Sequence, residues 1–424
     1  MAGEGTSAPM AAEAVVALPA PRLAALPAQW RTALRVAALA LLATRLVVWA
    51  AGIVGVEAFG LSARASAFDP LGLTSGFGAV GDVLVAPAAR WDATWYLQIA
   101  HHGYADTTHA AFFPLYPFLA RAVGTPLGSA LAGGVAVSLA ASVVALACLH
   151  RLTALELGDR AATAAVWLLA CFPAALFLSA VYSEALFLAL SVGSVLAART
   201  GRWWWAGALG GLAAASRSAG VVLVVALALL WWRGAPRRPR DLLALALVPA
   251  GLGAFCVGLA LGGLDAMAPF HAQEQWFRHF AGPFVGARDG AVAAWDGARQ
   301  LLSGARTPVF FRAAGGDPYA NAAHNLELFA TLLATVPALV GALRRLPLAY
   351  GTYALAALAL PLSWPVTPQP LMSLPRFVLV LFPLFMWLGW WAARGRGRTL
   401  VLGGVLLAGQ AAAAAEFATW HWFA

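Results

Sequence analysis

The 424 residues contain no lysine, and charge of either sign is scarce: 27 basic side chains, all arginine, and 18 acidic ones make up only 11% of the chain. A soluble domain carries about 25% charged residues. With 62% hydrophobic residues and a mean hydropathy of +0.77, this chain lacks the polar side chains to cover a water-facing surface, which excludes a soluble globular reading. Cysteine is equally sparse. Cys148, Cys171 and Cys256 each fall in an apolar run and none stands at metal-ligand spacing, so no disulfide framework is implied and the three read as small hydrophobes. There is no GxGxxG after a strand, no Walker motif and no GxSxG, so neither a nucleotide-binding domain nor an activity fuelled by ATP or a nucleotide sugar is expected. Solenoid repeats and heptads are absent as well.

What is there is a succession of apolar runs. A membrane helix needs about 20 mostly apolar residues, and spans are expected near 33–56, 127–149, 161–180, 183–198, 203–216, 219–232, 242–264, 325–343, 347–363, 377–393 and 399–416. The spacing predicts an all-α, polytopic integral membrane protein with a bundle of about eleven transmembrane helices, forming a single domain over 31–424. Residues 1–30, rich in Ala and Pro with Glu4, Glu13 and Arg22, read as a disordered cytoplasmic tail. They lack the short apolar core and cleavage site of a secretory signal.

The net charge of +9 raises nucleic acid as a partner, but the arginines sit in short clusters between apolar runs, which is the imprint of membrane topology. With the N-terminus cytoplasmic, the inner segments hold Arg22, Arg31 and Arg35, then Arg151 and Arg160, Arg199 and Arg202, Arg233 to Arg240, Arg344 and Arg345, and Arg394 to Arg398. Every short inner loop is then basic. The absence of lysine beside an excess of Ala and Gly suggests a GC-rich bacterial genome, hence an inner-membrane protein. The C-terminal Trp420 and Trp422 would fall outside, where they suit an aromatic belt.

Two long segments, about 57–126 and 265–324, become extracytoplasmic loops holding ten of the 18 acidic residues, and polar loops on one face of a bundle are where function concentrates. The first carries Arg90-Trp91-Asp92, followed by aromatic and apolar residues at 95, 96 and 99, a spacing that predicts an amphipathic helix at the membrane surface. Asp92 admits two readings, a helix N-cap or a general base at the bilayer edge. Glu184, heading an apolar run after Ser183, is likewise a cap or a functional charge. Arg217 and Arg376 stand at outer helix ends, against the basic-inside trend. Arg217 either pairs with Asp92 or Glu184 or holds a phosphate, and Arg376 either grips a phosphate with it or snorkels to headgroups. The second loop alternates aromatic and polar residues from Pro269 to Phe280 like an interfacial helix. His271, Glu274 and His279 fit no metal motif there, nor do adjacent His101 and His102, which point apart on a helix.

Taken together, Arg90-Trp91-Asp92, His102-Gly103-Tyr104, Ala111-Phe112-Phe113-Pro114, Ser179 to Glu184, Ser216 to Gly220 and Pro375-Arg376-Phe377 resemble, in order and spacing, the PIG-V mannosyltransferase family. That family performs the second mannosyl transfer of GPI-anchor synthesis, and it has bacterial relatives. The resemblance implies the GT-C class of multi-pass glycosyltransferases, which use a polyprenyl-phosphate sugar and a catalytic acid in the first extracytoplasmic loop. It points to Asp92 as base. Arg217 and Arg376 would stabilise the departing phosphate, with Glu184, His102, Tyr104, Arg90 and Trp91 around donor and substrate. No metal site and no cofactor beyond the lipid-linked sugar are expected, a divalent metal requirement being left open. The implied partners are the donor, a lipid or glycan acceptor in the cell envelope, and the membrane, with no nucleic acid. Two alternatives stand beside it: a GT-C transferase for another sugar, and a flippase for a lipid-linked sugar, although the paired halves of a transporter are not evident.

Overall fold

The structure, a computed structural model, describes residues 26–63, 65–75, 77–234, 238–310, 316–395 and 397–422. It is helical throughout, and among the described residues the sole β-pairing is an isolated antiparallel bridge between Arg278 and Val366. Through residue 25 the expected N-terminal tail lies outside the described residues. Among the described residues, five helices are long and apolar enough to cross a membrane: Ala28–Phe59, Ala130–Leu157, Arg240–Leu261, Pro318–Arg345 and Arg398–Ala418. Shorter apolar helices, among them Glu184–Arg199, Trp203–Ala214, Leu223–Arg233, Leu348–Ser363 and Phe382–Ala393, fill out the bundle, so every expected span coincides with helix.

The helices pack by small residues, as expected where lipid tails compete for apolar contact. Gly207 and Gly211, one turn apart, let Trp203–Ala214 lie directly on the backbone of Arg240–Leu261. A Cβ at Gly251 would stand 1.9 Å from the Gly211 carbonyl oxygen. Gly251→Val is therefore expected to destabilise this helix pair by about 1–3 kcal/mol, the usual cost of overpacking, read as a lower Tm in detergent. An unchanged Tm would mean that the two backbones do not approach so closely.

Three expected spans are interrupted. The run 161–180 is helical only over Asp159–Ala170 and continues as a 3-10 turn, Pro173–Leu178, because Pro173 has no N–H to extend the ladder. The run 377–393 divides into Leu374–Leu379 and Phe382–Ala393, with Pro383 at the break. Ser218–Val222 is a 3-10 turn before Leu223–Arg233. Irregular backbone at membrane depth survives only where protein satisfies it, and at the first of these breaks buried side chains do so. Gln410 donates to the Ala170 and Phe172 carbonyls, each at 3.0 Å. Arg45, fully enclosed in the first helix, donates to the Ala175 carbonyl at 2.7 Å and the Ser179 hydroxyl at 2.9 Å. Ser142 and Ser138 donate to the Leu178 and Ala180 carbonyls, each at 2.7 Å. These bonds fix the approach to Ser183 and Glu184.

The long loops are largely folded. The first contributes the expected surface helix, Ala93–His102, and a further helix Leu115–Leu127. The second contributes Ala268–Gln275, where an interfacial helix was expected, and the 19-residue Val285–Ser303, whose exposed Val292, Trp295 and Leu302 make it amphipathic. Trp420 departs from the belt reading. It is buried, because the chain turns back after Ala418 with Trp420 at φ +62° and lays its ring on Trp91 and Phe68.

Candidate active site

A cavity of about 1830 Å³ opens where the two long loops gather over the helix ends. Drug-sized pockets hold about 300–1,000 Å³, so this one has room for more than one small molecule.

Asp92 stands at the N-cap position of Ala93–His102, yet its carboxylate makes no capping bond. Its Oδ2 instead accepts from Arg376 Nη1 at 2.6 Å, while Oδ1 has no hydrogen-bond partner among the described residues. The carboxylate is 21% exposed and lines the cavity. The turn carrying it is pinned from below: the Tyr182 hydroxyl donates to the Arg90 carbonyl at 2.9 Å and accepts from the Asp92 N–H at 3.1 Å.

Glu184 is wholly buried and also makes no cap. Its Oε1 accepts from Arg376 Nε and from Arg217 Nη1, each at 2.7 Å. One arginine thus bridges two carboxylates, and one carboxylate gathers two arginines, through residues as far apart in sequence as 92 and 376. Arg376 is 5% exposed, too enclosed to snorkel, and its guanidinium lies over the Phe177 and Tyr182 rings at 5.1 and 4.7 Å. Arg217 and Arg376 both line the cavity, whereas Glu184 sits behind them. In this arrangement Glu184 aims the arginines, and Asp92 is the carboxylate open to the cavity.

Trp91 also faces the cavity. Its backbone is in the left-handed region at φ +56°, an uncommon state for a bulky residue. Its ring packs with Phe68, Trp420 and Trp422 at 4.4, 5.9 and 5.2 Å. Phe277, Ser373 and Trp420, three of the other positive-φ residues, line the same cavity, and such strain clusters at ligand sites.

The remaining sequence candidates lie outside the cavity wall. Arg90 donates to the Ala86, Ala89 and Ala418 carbonyls, tying the first loop to the last helix. Burial brings its guanidinium down to about 10, with Asp69 and Asp82 opposing. Tyr104 donates to the Phe112 carbonyl at 2.6 Å and packs on Phe255, and burial holds its phenol well above the ordinary range. His102 is exposed at the end of its helix. None of the three bonds to Asp92, Glu184, Arg217 or Arg376, the ionic quartet of the site. Among the described residues, no three His, Cys, Asp or Glu side chains converge as metal ligands would. Arg278, by contrast, is a cavity residue that the sequence did not single out.

Residues 58–256 match the family model described as Mannosyltransferase (PIG-V). Over that stretch the chain is similar to the PIG-V mannosyltransferases. It is 40% identical over 147 residues to the GPI alpha-1,6-mannosyltransferase 2 of Mus musculus, an overlap of 32% of this chain and 30% of that protein. The same-named protein of Cricetulus griseus is 39% identical over 169 residues, covering 37% and 34%. That of Homo sapiens is 37% identical over 155 residues, covering 33% and 31%. The chain thus spans about a third of the length of the curated relatives it matches. No solved structure matches it. Within the PIG-V-like stretch fall Asp92, Glu184 and Arg217, whereas Arg278 and Arg376 reach the site from beyond it.

Proposed function

We propose that this chain transfers a mannosyl group from a polyprenyl-phosphate sugar to a hydroxyl of a lipid or glycan acceptor on the outer face of a bacterial inner membrane. The N-terminus is placed in the cytoplasm, and residues 31–424 act as one membrane-embedded GT-C-like domain. The observation that carries this reading is the Asp92 carboxylate, held by Arg376 at one oxygen and open at the other, at the wall of a large cavity beside three arginines.

The chemistry is a single displacement. The acceptor oxygen bonds to C1 of the sugar as the bond from C1 to the phosphate oxygen breaks. That bond's electron pair leaves on the phosphate, and the acceptor proton passes to Asp92 Oδ1. Phosphate is a good leaving group, so no second carboxyl acting as acid is required, unlike glycoside hydrolysis. The guanidinium groups offset the charge that grows on the departing phosphate. The cavity wall includes the apolar Phe187, Val221, Val222, Leu252 and Leu360, side chains suited to the isoprenoid tail. The rings of Trp91, Trp420 and Trp422 also line it and suit the flat faces of a sugar.

The test is to incubate purified protein in liposomes with radiolabelled polyprenyl-phosphate mannose and an envelope lipid extract. Label covalently bound to a new product, together with free polyprenyl phosphate, is expected. Label that crosses the bilayer still attached to its polyprenyl phosphate would establish a flippase instead. Transfer from a different polyprenyl-phosphate sugar, with mannose inert, would overturn the choice of sugar and keep the class.

A further inference from the structure

Within the quartet two carboxylates meet two guanidinium groups, and the charges match. Asp92 and Glu184 between them engage Arg376 and Arg217. Arg278 is a third guanidinium in the same cavity, and among the described residues no carboxylate lies within ion-pair distance of it. Its Nη1 and Nη2 donate to the carbonyls of Trp364 and Met372 at 3.1 and 3.2 Å. The antiparallel bridge to Val366 fixes its backbone. These contacts hold the side chain still without neutralising it, and two of its five N–H donors suffice for them. Burial brings this guanidinium down to about 10, and Arg376 and Arg217 add to the shift while Asp92 opposes it. Arg278 is therefore cationic at pH 7 and within electrostatic reach of the whole quartet. Arg278 and Arg217 also share one aromatic surface, their guanidinium carbons lying 5.6 and 5.7 Å from the centre of the Phe377 ring.

Around Asp92 and Glu184 three cations meet two anions; the other carboxylates lining the cavity, Asp317, Glu327 and Glu416, form no ion pair with Arg217, Arg278 or Arg376 among the described residues, so this cluster carries one positive charge in excess. A partly desolvated cation without a counter-ion favours an anion that brings several acceptor oxygens, and a phosphate suits the planar fork of arginine. We propose that Arg278 is the principal donor-phosphate ligand of this site, gripping the phosphate together with Arg217 beside Phe377, while Arg376 stays committed to aligning Asp92 and Glu184. The inference rests on the polyprenyl-phosphate reading above. It reassigns the phosphate contact that the sequence pointed to at Arg376. Arg278 lies beyond residue 256, outside the PIG-V-like stretch, so that similarity does not supply it.

The proposal has a consequence for the product. The donor is a phosphodiester with one negative charge, and C1–O cleavage leaves a monoester close to two. Arg278 gains in the leaving state, so the protein is expected to bind polyprenyl phosphate more tightly than the donor. The direct test is binding rather than turnover. Polyprenyl phosphate, uncharged polyprenol of the same length and inorganic phosphate are titrated onto detergent-purified wild type, Arg278→Gln, Arg278→Lys and Arg288→Gln. Arg288 is exposed, pairs with Asp289 and does not line the cavity, and serves as the control for charge loss.

Wild type and Arg288→Gln should bind polyprenyl phosphate alike and polyprenol weakly. Arg278→Gln should lose about 10- to 100-fold, the worth of a charge-assisted bond, and Arg278→Lys should recover part of it. Equal binding by wild type and Arg278→Gln, at equal Tm, overturns the role of Arg278 and leaves the donor reading intact. Wild-type protein that ignores polyprenyl phosphate overturns both. Inorganic phosphate that binds as well as the lipid would overturn the lipid headgroup as the ligand in favour of a free phosphate. Should Arg278→Gln not fold, the lysine variant decides: wild-type affinity for the lipid phosphate together with wild-type salt dependence would overturn the bidentate grip.

Discussion

Replacing Arg376 by glutamine is expected to reduce sugar transfer by about 10²–10³-fold and to lower Tm as well. Arg376 donates at 2.6 Å to Asp92 and at 2.7 Å to Glu184, and it is nearly sealed from solvent. Removing one partner of a buried ion pair costs about 3–5 kcal/mol, because the remaining charge stays buried without compensation. Here two carboxylates lose it at once. Glu184 keeps Arg217, but Asp92 keeps no cation within ion-pair distance among the described residues, and its carboxylate is free to leave the orientation in which Oδ1 meets the cavity. Arg376→Lys should recover only part of the loss, since an ammonium cannot reproduce the fork that spans both acids. Initial transfer rates at matched Tm separate the two effects. A folded Arg376→Gln variant that transfers within a few-fold of wild type would mean that Asp92 does not depend on this bridge.

Much of the fold was legible because it is local. Apolar length alone located the helices of the eleven expected spans, and arginine clusters fall at alternate turns between them. Where the sequence reading and the structure part, a specific residue is responsible. Pro173 and Pro383 break runs that hydropathy shows as continuous, and at the Pro173 break the freed carbonyls are met by Arg45, Gln410, Ser138 and Ser142 from other helices. Trp420 has the composition of a belt residue but turns inward onto Trp91, which no local pattern foretells.

The candidate site shows the same division. Asp92, Glu184, Arg217 and Arg376 each stood out singly, as a charge at the end of an apolar run. Their pairing across as many as 284 positions is a product of the tertiary fold. The two readings of Arg376 (phosphate grip or snorkel) left out the carboxylate partners that its burial and both bonds reveal. Arg278 was passed over because its neighbours Trp276, Phe277 and His279 read as an interfacial helix. Its anchors are the backbone carbonyls of Trp364 and Met372, and backbone partners leave no mark in sequence. His102, Tyr104 and Arg90 show the reverse error. Motif membership singles out residues that brace a site as readily as those that face it, and here Tyr104 and Arg90 are bonded to main chain outside the cavity wall.

The account turns on the Asp92 carboxylate. Asparagine has nearly the same shape and still offers Arg376 one acceptor oxygen, so Asp92→Asn should fold and should bind polyprenyl phosphate as wild type does. It has no carboxylate to take the acceptor proton, a contribution worth about 10²–10⁴-fold. The measurement to make is the initial rate of mannose transfer from polyprenyl-phosphate mannose in the same liposomes, for wild type and Asp92→Asn side by side. A loss of about 100-fold or more at equal lipid-phosphate binding is the result this account predicts. Equal rates would contradict it, and would make Asp92 an anchor for Arg376 rather than the base.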